Sequence, residues 1–446
     1  MSDYDVIVLG GGPAGEHCAA RLAAGGKKVA VVERELLGGE CSYWACIPSK
    51  TLLRPGEVLA NAREAPGAAE VVNGSVVDAA GAFGWRDFQT SSYDDSGAVR
   101  WAEGEGIEVL RGEGRFSGPK TVSVDGDEHT AEHVVIATGS DPVMPPIDGL
   151  SELDGLWTNR EATGLKEVPR RLLVLGGGPV GVEMAQAVRR MGAEVALVEG
   201  ADHVLAREPE PLGDALGQAL KDDGIELTLG RHASRARRDG GDYVLDFEDG
   251  SELRGDRLLV ATGRSPRAGG LDVERAGLSL GDHGEVVVDE RMSAGDGIWA
   301  IGDVTGVWPL TYVGKYQGRV VAANILGREA RASYDAVPRV VFTDPQAASV
   351  GQADGARTAR VELAGVARTS TYTRAYDTKP GFLTLVSDGE RLTGAYALGP
   401  EAGEWLGQAT LAIRAGVTLE TMMDTIQPFP TFSEAYMEGL LELTGR

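Results

Sequence analysis

Two cysteines separated by four residues, Cys41 and Cys46, are the side chains of this sequence best suited to redox chemistry. A disulfide between them would brace little of the fold, because closing so short a loop gains little stability. The chain has only three cysteines, which argues against a disulfide scaffold. We therefore interpret the pair as a redox-active disulfide. The alternative is two buried thiols that happen to be neighbours.

The residues before this pair predict a strand, a glycine turn and a helix. The apolar run Asp5–Leu9 is the strand, residues 10–15 (GGGPAG) form the turn, and Glu16–Ala24 is the helix. A second strand over Val29–Val32 ends at Glu33. This order is typical of a dinucleotide-binding unit.

The same pattern returns later in the chain. A strand over Arg171–Leu175 leads into the turn 176–181 (GGGPVG) and a helix over Val182–Met191. The next strand, Val195–Val198, ends at Glu199. In both copies the acid lies 23 residues after the first glycine of the turn. This internal repeat predicts two dinucleotide-binding domains.

Each glycine of such a turn has its own task. The first permits the tight turn, the second lets the backbone approach a pyrophosphate, and the third lets helix and strand pack closely. The helix N-terminus offers free N–H groups to the phosphates. Glu33 and Glu199 are placed to accept hydrogen bonds from ribose hydroxyls. The predicted glycines are Gly10, Gly12 and Gly15 in the first copy and Gly176, Gly178 and Gly181 in the second.

The residues after Glu199 bear on the choice of nicotinamide cofactor. Gly200, Ala201 and Asp202 follow, with no arginine to receive a 2′-phosphate, and the Glu199 carboxylate would repel one. We predict NADH as the cofactor and NADPH as the less favoured one. An arginine reaching in from elsewhere is the alternative.

Further strands and helices are predicted between and after the two copies. Residues 61–105 are expected to form helices with loops, and Val109–Val124 alternates like antiparallel strands. Buried strands are predicted over 134–139, 258–263 and Ile298–Ile301. From about Val337 the pattern changes to a separate α+β domain, with strands at Arg339–Phe342, Phe382–Val386 and Arg391–Leu398 and helices at Glu404–Arg414 and Ser433–Leu443.

Length and charge limit the classes of function. A chain of 446 residues is long enough for about three domains. A net charge of −24 argues against nucleic acid or an anionic membrane as a partner. No signal peptide and no apolar run of about 20 residues is visible. We therefore expect a cytoplasmic protein.

Taken together, these motifs resemble the pyridine nucleotide-disulfide oxidoreductases of the glutathione reductase, dihydrolipoamide dehydrogenase and mercuric reductase type. The resemblance covers nearly the whole chain. Besides the two glycine turns, it rests on GGECSYWACIPSK at 38–50, ATGS at 137–140, GGGPVGVE at 176–183, ATGRSP at 261–266, AIGD at 300–303, FTDPQAASVG at 342–351 and PTFSEA at 430–435.

The resemblance implies an α/β fold with two Rossmann-like dinucleotide-binding domains (glutathione reductase-like) and a C-terminal α+β dimerisation domain. It implies FAD in the first nucleotide site, a nicotinamide cofactor in the second, a small-molecule substrate and a homodimer. The expected segments are an FAD-binding domain over 1–149 and 264–335, an NAD(H)-binding domain over 150–263 and a dimerisation domain over 336–446.

The resemblance also assigns roles to single residues. Cys46 would be the thiolate beside the flavin ring, and Cys41 the interchange thiol that attacks substrate. Lys50 matches the lysine near the flavin, Glu183 matches its carboxylate partner, and Asp303 matches the aspartate that binds the ribityl chain. The matched motifs add Gly39, Thr138, Gly139 and Gly263 to the expected cofactor contacts.

One position departs from the pattern of the disulfide reductases. They carry a histidine before the Pro-Thr of the C-terminal motif, where it shuttles the substrate proton, and this chain has Phe429. None of its six histidines lies in the C-terminal domain. General acid–base help is typically worth roughly 10²–10⁴-fold, so ordinary disulfide turnover should be slow. Glu434, which would orient the histidine, is retained, and Glu40 beside Cys41 is an alternative proton carrier.

Several functions therefore stay open. The first is an NADH-dependent FAD oxidoreductase acting on an unusual acceptor, such as a disulfide, a quinone or a metal ion. Dihydrolipoamide dehydrogenase is the second. A mercuric reductase-like enzyme is poorly equipped, because the expected C-terminal cysteine pair and N-terminal metal-binding domain are not seen. The fourth is a redox-sensing flavin-binding dimer without turnover. The loop residues Tyr43, Trp44 and Ala45 predict either a narrowed apolar pocket or core packing by Trp44.

Overall fold

The computed structural model describes residues 2–373 and 381–446. These residues divide into two compact units. The described residues of unit one fall within Met1–Pro48, Trp85–Val143 and Gly263–Ser333, and those of unit two fall within Ser49–Gly84, Met144–Thr262 and Tyr334–Arg446.

The helices and strands are numbered in chain order. The helices are α1 Pro13–Ala24, α2 Gly39–Tyr43, α3 Cys46–Glu64, α4 Ala79–Gln89, α5 Ser96–Gly104, α6 Asn159–Thr163, α7 Pro179–Arg190, α8 Glu210–Asp222, α9 Thr311–Ile325, α10 Ala367–Tyr372, α11 Ala402–Trp405, α12 Gly407–Ala415, α13 Leu419–Met423 and α14 Glu434–Thr444. The strands are β1 Tyr4–Leu9, β2 Val29–Glu33, β3 Ile107–Arg111, β4 Gly114–Gly118, β5 Thr121–Val124, β6 Asp127–Ile136, β7 Ser140–Pro142, β8 Arg171–Leu175, β9 Glu194–Val198, β10 Glu226–Thr228, β11 Arg235–Asp239, β12 Asp242–Asp246, β13 Glu252–Gly255, β14 Arg257–Val260, β15 Arg264–Pro266, β16 Ser293–Gly295, β17 Ile298–Ala300, β18 Arg339–Val341, β19 Gln346–Gly351, β20 Arg357–Glu362, β21 Phe382–Ser387 and β22 Leu392–Gly399.

Unit one is built on a sheet of eight strands in the order β16-β17-β6-β1-β2-β3, with β5 and β4 added beside β6. Strands β6, β1, β2 and β3 pair in parallel. The strand β1 is buried along almost its whole length, which explains its continuous apolar sequence. Helices α1 and α9 cover one face of this sheet through the apolar residues Cys18, Leu22, Val321 and Ile325.

Two expectations for unit one need correction. The alternation over Val109–Val124 predicts antiparallel strands, but β3 pairs in parallel with β2. The reason is that α5 precedes β3 and acts as a crossover, which returns the chain in the same direction. Helix α1 begins at Pro13, three residues before the predicted start, because proline fits the first turn of a helix.

Unit two contains a parallel sheet in the order β10-β9-β8-β14, as the second nucleotide-binding copy predicts. A three-stranded antiparallel sheet, β11-β12-β13, follows β10 in the chain. The C-terminal part is a five-stranded antiparallel sheet in the order β18-β19-β22-β21-β20. Its apolar face packs on α11 to α14 through residues such as Trp405, Phe432 and Tyr436.

The predicted helix Glu404–Arg414 is divided into α11 and α12. Gly403 and Gly407 flank the break, and glycine has low helix propensity. Within residues 2–373 and 381–446, no helix combines the length and the apolar character needed to span a bilayer.

Candidate active site

The first glycine turn joins β1 to α1 in a conformation that needs two of its glycines. Gly10 has φ +108°, and a side chain there would lie 2.4 Å from the carbonyl oxygen of Ala137. A side chain on Gly15 would lie 2.0 Å from the carbonyl oxygen of Gly10. A side chain on Gly12 would meet no atom within 4 Å. Gly12 therefore faces open space, where a phosphate could approach the backbone.

The second glycine turn, between β8 and α7, repeats this geometry. Gly176 has φ +108°, and its missing side chain would lie 2.5 Å from the carbonyl oxygen of Ala261. A side chain on Gly181 would lie 1.9 Å from the carbonyl oxygen of Gly176, while one on Gly178 would meet nothing within 4 Å. Both turns thus fit the pyrophosphate of a dinucleotide at the same relative position.

The two predicted acids lie at the ends of β2 and β9 and contact the turns. One carboxylate oxygen of Glu33 accepts a hydrogen bond from the backbone N–H of Gly11 at 2.8 Å. The equivalent oxygen of Glu199 accepts from the N–H of Gly177 at 2.6 Å. The other oxygen of each acid accepts from the N–H two residues further along the chain. Both carboxylates are therefore fixed beside the turn whose nucleotide they are predicted to bind.

The cysteine segment packs directly on the first turn. The N–H of Gly38 donates to the carbonyl oxygen of Gly11 at 2.8 Å. A side chain on Gly39 would lie 2.7 Å from the Cα of Gly12, so only glycine allows this approach. Helix α2 starts at this contact and carries Cys41, while Cys46 is the first residue of α3. The predicted nucleotide turn and the predicted redox pair are therefore neighbours within unit one.

Both cysteines are free thiols that are half-buried. The Thr311 hydroxyl oxygen lies 3.3 Å from the sulfur of Cys46 and donates a hydrogen bond to the sulfur of Cys41 at 3.4 Å. A hydrogen bond with Cys46, together with burial, raises the pKa of the Cys41 thiol above its usual value, while Thr311 and Lys315 act in the opposite direction. Burial and the hydrogen bond with Cys46 therefore favour the protonated form of the Cys41 thiol.

The bulky residues between the cysteines pack against the protein. Trp44 stacks on Tyr93 with ring centroids 6.3 Å apart. Tyr43 is buried, and its hydroxyl donates to the carbonyl oxygen of Leu37 at 3.0 Å. Residues 91–93 all have positive φ. This segment holds the Tyr93 ring under Trp44, so packing accounts for at least part of the aromatic character of the loop.

Asp303 belongs to a short 3-10 helix, Gly302–Thr305, that follows β17. Its carboxylate accepts a hydrogen bond from the Ser140 hydroxyl at 2.6 Å, and that hydroxyl accepts one from Arg264 at 2.7 Å. Gly139 and Gly263 precede the paired strands β7 and β15, and a side chain on either would meet open space. The predicted contacts Asp303, Gly139 and Gly263 are thus connected through this pair of strands.

Thr138 and Glu40 are both linked to Arg267. The Thr138 hydroxyl donates to the carbonyl oxygen of Arg267 at 2.6 Å. The Arg267 guanidinium donates to Asp141 at 2.7 Å and lies 4.0 Å from a carboxylate oxygen of Glu40. Glu40 therefore has a cationic neighbour.

In unit two, the structure brings Lys50 and Glu183 together. The Lys50 ammonium donates to Glu183 at 2.6 Å, and the Glu183 side chain is only 5% exposed. The other Glu183 oxygen accepts from the backbone N–H of Phe342 at 2.9 Å. The ammonium also lies 4.9 Å from the centre of the Phe342 ring. A buried carboxylate thus fixes the lysine, as the resemblance leads one to expect.

The C-terminal motif has an unusual exposure pattern. Phe429, at the position of the expected histidine, is 74% exposed. Glu434 begins α14, and one of its carboxylate oxygens is buried without a hydrogen-bond partner among the described residues. Glu434, which would orient a histidine, therefore has one carboxylate oxygen that accepts no hydrogen bond within the described part of the chain.

The geometry adds three residues that the sequence did not single out. Ser140 and Arg264 lie within the quoted motifs ATGS and ATGRSP, so a signal for them existed. Thr311 lies outside every quoted motif. Its contact with both sulfurs depends on the packing of α9, which no local pattern reveals.

Comparisons with known proteins agree with this geometry. Residues 4–318 match the pyridine nucleotide-disulphide oxidoreductase family, and residues 337–439 match the dimerisation domain of the same family. A dihydrolipoyl dehydrogenase from Thermus scotoductus is 34% identical, over 98% of this chain and 97% of its own length. A mercuric reductase from Bacillus cereus is 32% identical, over 98% of this chain and 71% of its own length.

Solved structures give the same picture. The HOCl-induced flavoprotein disulfide reductase RclA from Escherichia coli has a TM-score of 0.85 and is 28% identical, with 98% of this chain and 99% of that one covered. LpdA from Mycobacterium tuberculosis has a TM-score of 0.86 and is 26% identical, with the same coverage of both chains.

Fold and site define a flavoprotein oxidoreductase with two dinucleotide sites. The chain belongs to the pyridine nucleotide-disulphide oxidoreductase family, whose members bind FAD and a pyridine nucleotide. The glutathione reductase-like fold, with its C-terminal dimerisation domain, is thereby confirmed, and so is the prediction of an enzyme.

Proposed function

We propose that this enzyme passes electrons from NADH through FAD to the Cys41/Cys46 pair and on to a small-molecule acceptor. FAD, when bound, supplies the two-electron chemistry between the nicotinamide and the sulfurs. The observation that carries the proposal is the packing of the cysteine segment on Gly11 and Gly12, with both sulfurs in contact with Thr311. The residues expected to hold FAD are those of the first turn, Glu33 and Asp303.

The acceptor is one that needs no imidazole to carry its proton. Phe429 cannot hold a proton, and the chain has no histidine from position 337 onwards. A disulfide, a quinone and a metal ion remain the candidate acceptors. A structure of RclA as a Cu(II) complex offers a precedent for metal binding by a related protein. Dihydrolipoamide is the second candidate substrate, because the dihydrolipoyl dehydrogenase relative matches nearly the whole chain.

A panel of acceptors under NADH tests this proposal, with the parent enzyme beside Phe429→His. We expect slow turnover of lipoamide and other disulfides by the parent. The variant should gain at least about tenfold on disulfides, because a general acid–base group is typically worth more than that. Reduction of quinones should not change. Ile426→His is the matched control, since Ile426 is 95% exposed in the same segment.

Two outcomes would contradict the argument from Phe429. One is fast dihydrolipoamide turnover by the parent enzyme, which would make the missing histidine irrelevant. The other is an equal gain from Ile426→His, which would show that any added imidazole has the same effect.

The preference for NADH is supported by the surroundings of Glu199. Its carboxylate is held at the mouth of the second turn. The backbone N–H of Arg231 donates to the Glu199 carbonyl, which makes Arg231 a nearby candidate for binding a 2′-phosphate. Its guanidinium is instead bound to Asp249 at 2.6 Å and stacks 4.4 Å from the ring centre of Phe247. We therefore keep NADH as the proposed cofactor.

We also propose a homodimer formed through the C-terminal domain. The matched dimerisation domain supports this, and so do the exposed apolar side chains of Leu411, Ile426 and Phe429, which are 69%, 95% and 74% exposed. The segments 1–149 with 264–335, 150–263 and 336–446 stay our assignment for FAD binding, NAD(H) binding and dimerisation. A cytoplasmic location stays a prediction from the sequence.

A further inference from the structure

One hydroxyl group contacts both sulfurs of the redox pair. Thr311 is the first residue of α9, and its Oγ1 atom lies 3.4 Å from the Cys41 sulfur and 3.3 Å from the Cys46 sulfur. Both distances suit hydrogen bonds to sulfur. A threonine hydroxyl has a single proton to donate, so it can serve only one of the two sulfurs at a time.

The two sulfurs lie against the same hydroxyl oxygen, and a hydrogen bond with Cys46 is the largest of the causes that raise the pKa of the Cys41 thiol. Such a bond allows one proton to be held by either sulfur. When Cys41 is protonated, the negative charge of a singly deprotonated pair lies on Cys46. When the proton crosses, the charge lies on Cys41, the sulfur expected to attack the acceptor.

We propose that the Thr311 hydroxyl donates in alternation to whichever of the two sulfurs carries the charge. In this step the Cys41 S–H bond breaks and an S–H bond forms on Cys46, while the hydroxyl rotates from Cys46 to Cys41. No electron is gained or lost, and the proton stays within the pair. The inference rests on the proposed function, since it needs the pair to be reduced during turnover.

This arrangement suits a chain with phenylalanine at position 429. The disulfide reductases use an imidazole to take up and return the proton of the attacking thiol. Here the pair can move its charge to Cys41 without an external base, provided that the thiolate is stabilised at both positions. A hydrogen bond to a charged group contributes more free energy than one between neutral groups. A single hydroxyl can therefore stabilise the thiolate measurably.

Two features of α9 favour negative charge near the pair. Thr311 lies at the N-terminus of α9, the positive end of the helix dipole. Lys315 follows one turn later and opposes the rise in the pKa of Cys41 that the hydrogen bond with Cys46 and burial cause. Acidic groups on the neighbouring elements are Glu16 on α1, which also interacts with Lys315, and Glu40 on α2.

The test measures the reactivity of each thiol in Thr311→Val and Thr311→Ser. The purified flavin-containing enzyme is reduced with a phosphine and treated with iodoacetamide between pH 5 and 10. Mass spectrometry then gives the alkylation rate of Cys41 and of Cys46 separately. Thr163→Val is the matched control, because it removes a buried helix hydroxyl that bonds to the Asn159 carbonyl in unit two.

We expect Thr311→Val to slow alkylation of both cysteines at pH 7 by about tenfold, with both pH midpoints about one unit higher. Thr311→Ser should keep the parent profile, since it keeps the hydroxyl. Unchanged midpoints in Thr311→Val would overturn the proposal, and so would a shift at only one cysteine or an equal shift in Thr163→Val. If the valine variant loses its flavin, Thr311→Ala gives the same comparison.

The alkylation rates test the role of Thr311 independently of the proposed electron path. If NADH fails to generate thiols in the parent that the phosphine does generate, the electron path is wrong. The measured dependence of the thiols on Thr311 would still stand or fall on the alkylation profiles alone.

Discussion

The two glycine turns have nearly the same backbone and lead to different chemistry. In both, the first glycine has φ +108° and abuts a backbone carbonyl, and the acid accepts a hydrogen bond from the second residue of the turn. The first turn packs on Gly38 and Gly39 of the cysteine segment. At the second turn, Gly177 instead accepts a hydrogen bond from Leu205, and no cysteine follows. We infer that each turn determines nucleotide binding, and that the segment packed on the turn determines reactivity.

The helices that follow the two turns, α1 and α7, also carry different side chains at equivalent positions. Counting from the first glycine, Glu16 of the first copy corresponds to Val182 of the second, and His17 corresponds to Glu183. Burial raises the pKa of Glu16 to about 7, against the opposing effect of Lys315. Glu183 is buried and paired with Lys50. Each helix therefore carries an acid shielded from solvent, half-buried Glu16 in the first copy and buried Glu183 in the second, at neighbouring positions and with different partners.

The largest expected effect comes from removing the Cys41 sulfur, which has no equivalent beside the second turn. Cys41→Ser should lower NADH-dependent disulfide reduction by at least about 10³-fold, because a nucleophile is removed. Cys18→Ala is the matched control, since Cys18 is the third cysteine and is fully buried in α1. Steady-state rates with a disulfide acceptor measure the loss. Full activity of Cys41→Ser would mean that electrons leave the enzyme without the sulfur pair.

A second prediction separates the two turns as binding sites. Gly12→Val and Gly178→Val both place a side chain in open space, so both proteins should fold. Gly12→Val should be isolated without flavin, while Gly178→Val should keep its flavin and show a KM for NADH raised by at least about tenfold. Flavin absorbance and initial rates measure the two effects. Loss of flavin from Gly178→Val would reverse the assignment of the two copies.

The third prediction concerns Glu16 of the first copy, whose equivalent position in the second copy is Val182. Because the folded-state pKa of Glu16 lies above its ordinary value of 4.5, its contribution to stability is fully present below about pH 4.5 and is lost as the pH rises to about 7. Glu16→Gln should therefore be more stable than the parent above pH 7, by up to about 3 kcal/mol, and equal to it near pH 4.5.

Urea unfolding at several pH values measures this difference, with the exposed Glu103→Gln as control. A pH-independent difference between Glu16→Gln and the parent would show that Glu16 titrates normally.

The sequence predicts the backbone of both glycine turns, but it does not predict the contacts between distant segments. The glycine spacing and the acids are local features, and β1, β2, β8 and β9 were predicted to within a residue at either end. The Ser140–Arg264 contact joins residues 124 positions apart through the pairing of β7 with β15. Likewise, Thr311 reaches the cysteines across 265 and 270 positions. Such contacts depend on tertiary packing, which no short window of sequence contains.

The smallest expected effect concerns Glu199, the acid proposed to bind ribose in the second copy. Glu199→Ser should raise the KM for NADH by about tenfold, the loss of one hydrogen bond to a charged group, and narrow the difference between NADH and NADPH. Glu33→Ser is its counterpart in the first copy and should leave the ratio of NADH to NADPH unchanged. A parent enzyme that prefers NADPH would remove the basis of this prediction.

Counting thiols after anaerobic addition of NADH tests the central claim most directly. The oxidised enzyme should show one titratable thiol after denaturation, that of Cys18, and NADH should reveal two more, Cys41 and Cys46. Peptide mapping would identify them. If NADH bleaches the flavin while the number of thiols stays the same, electrons do not reach the sulfur pair and the account is wrong.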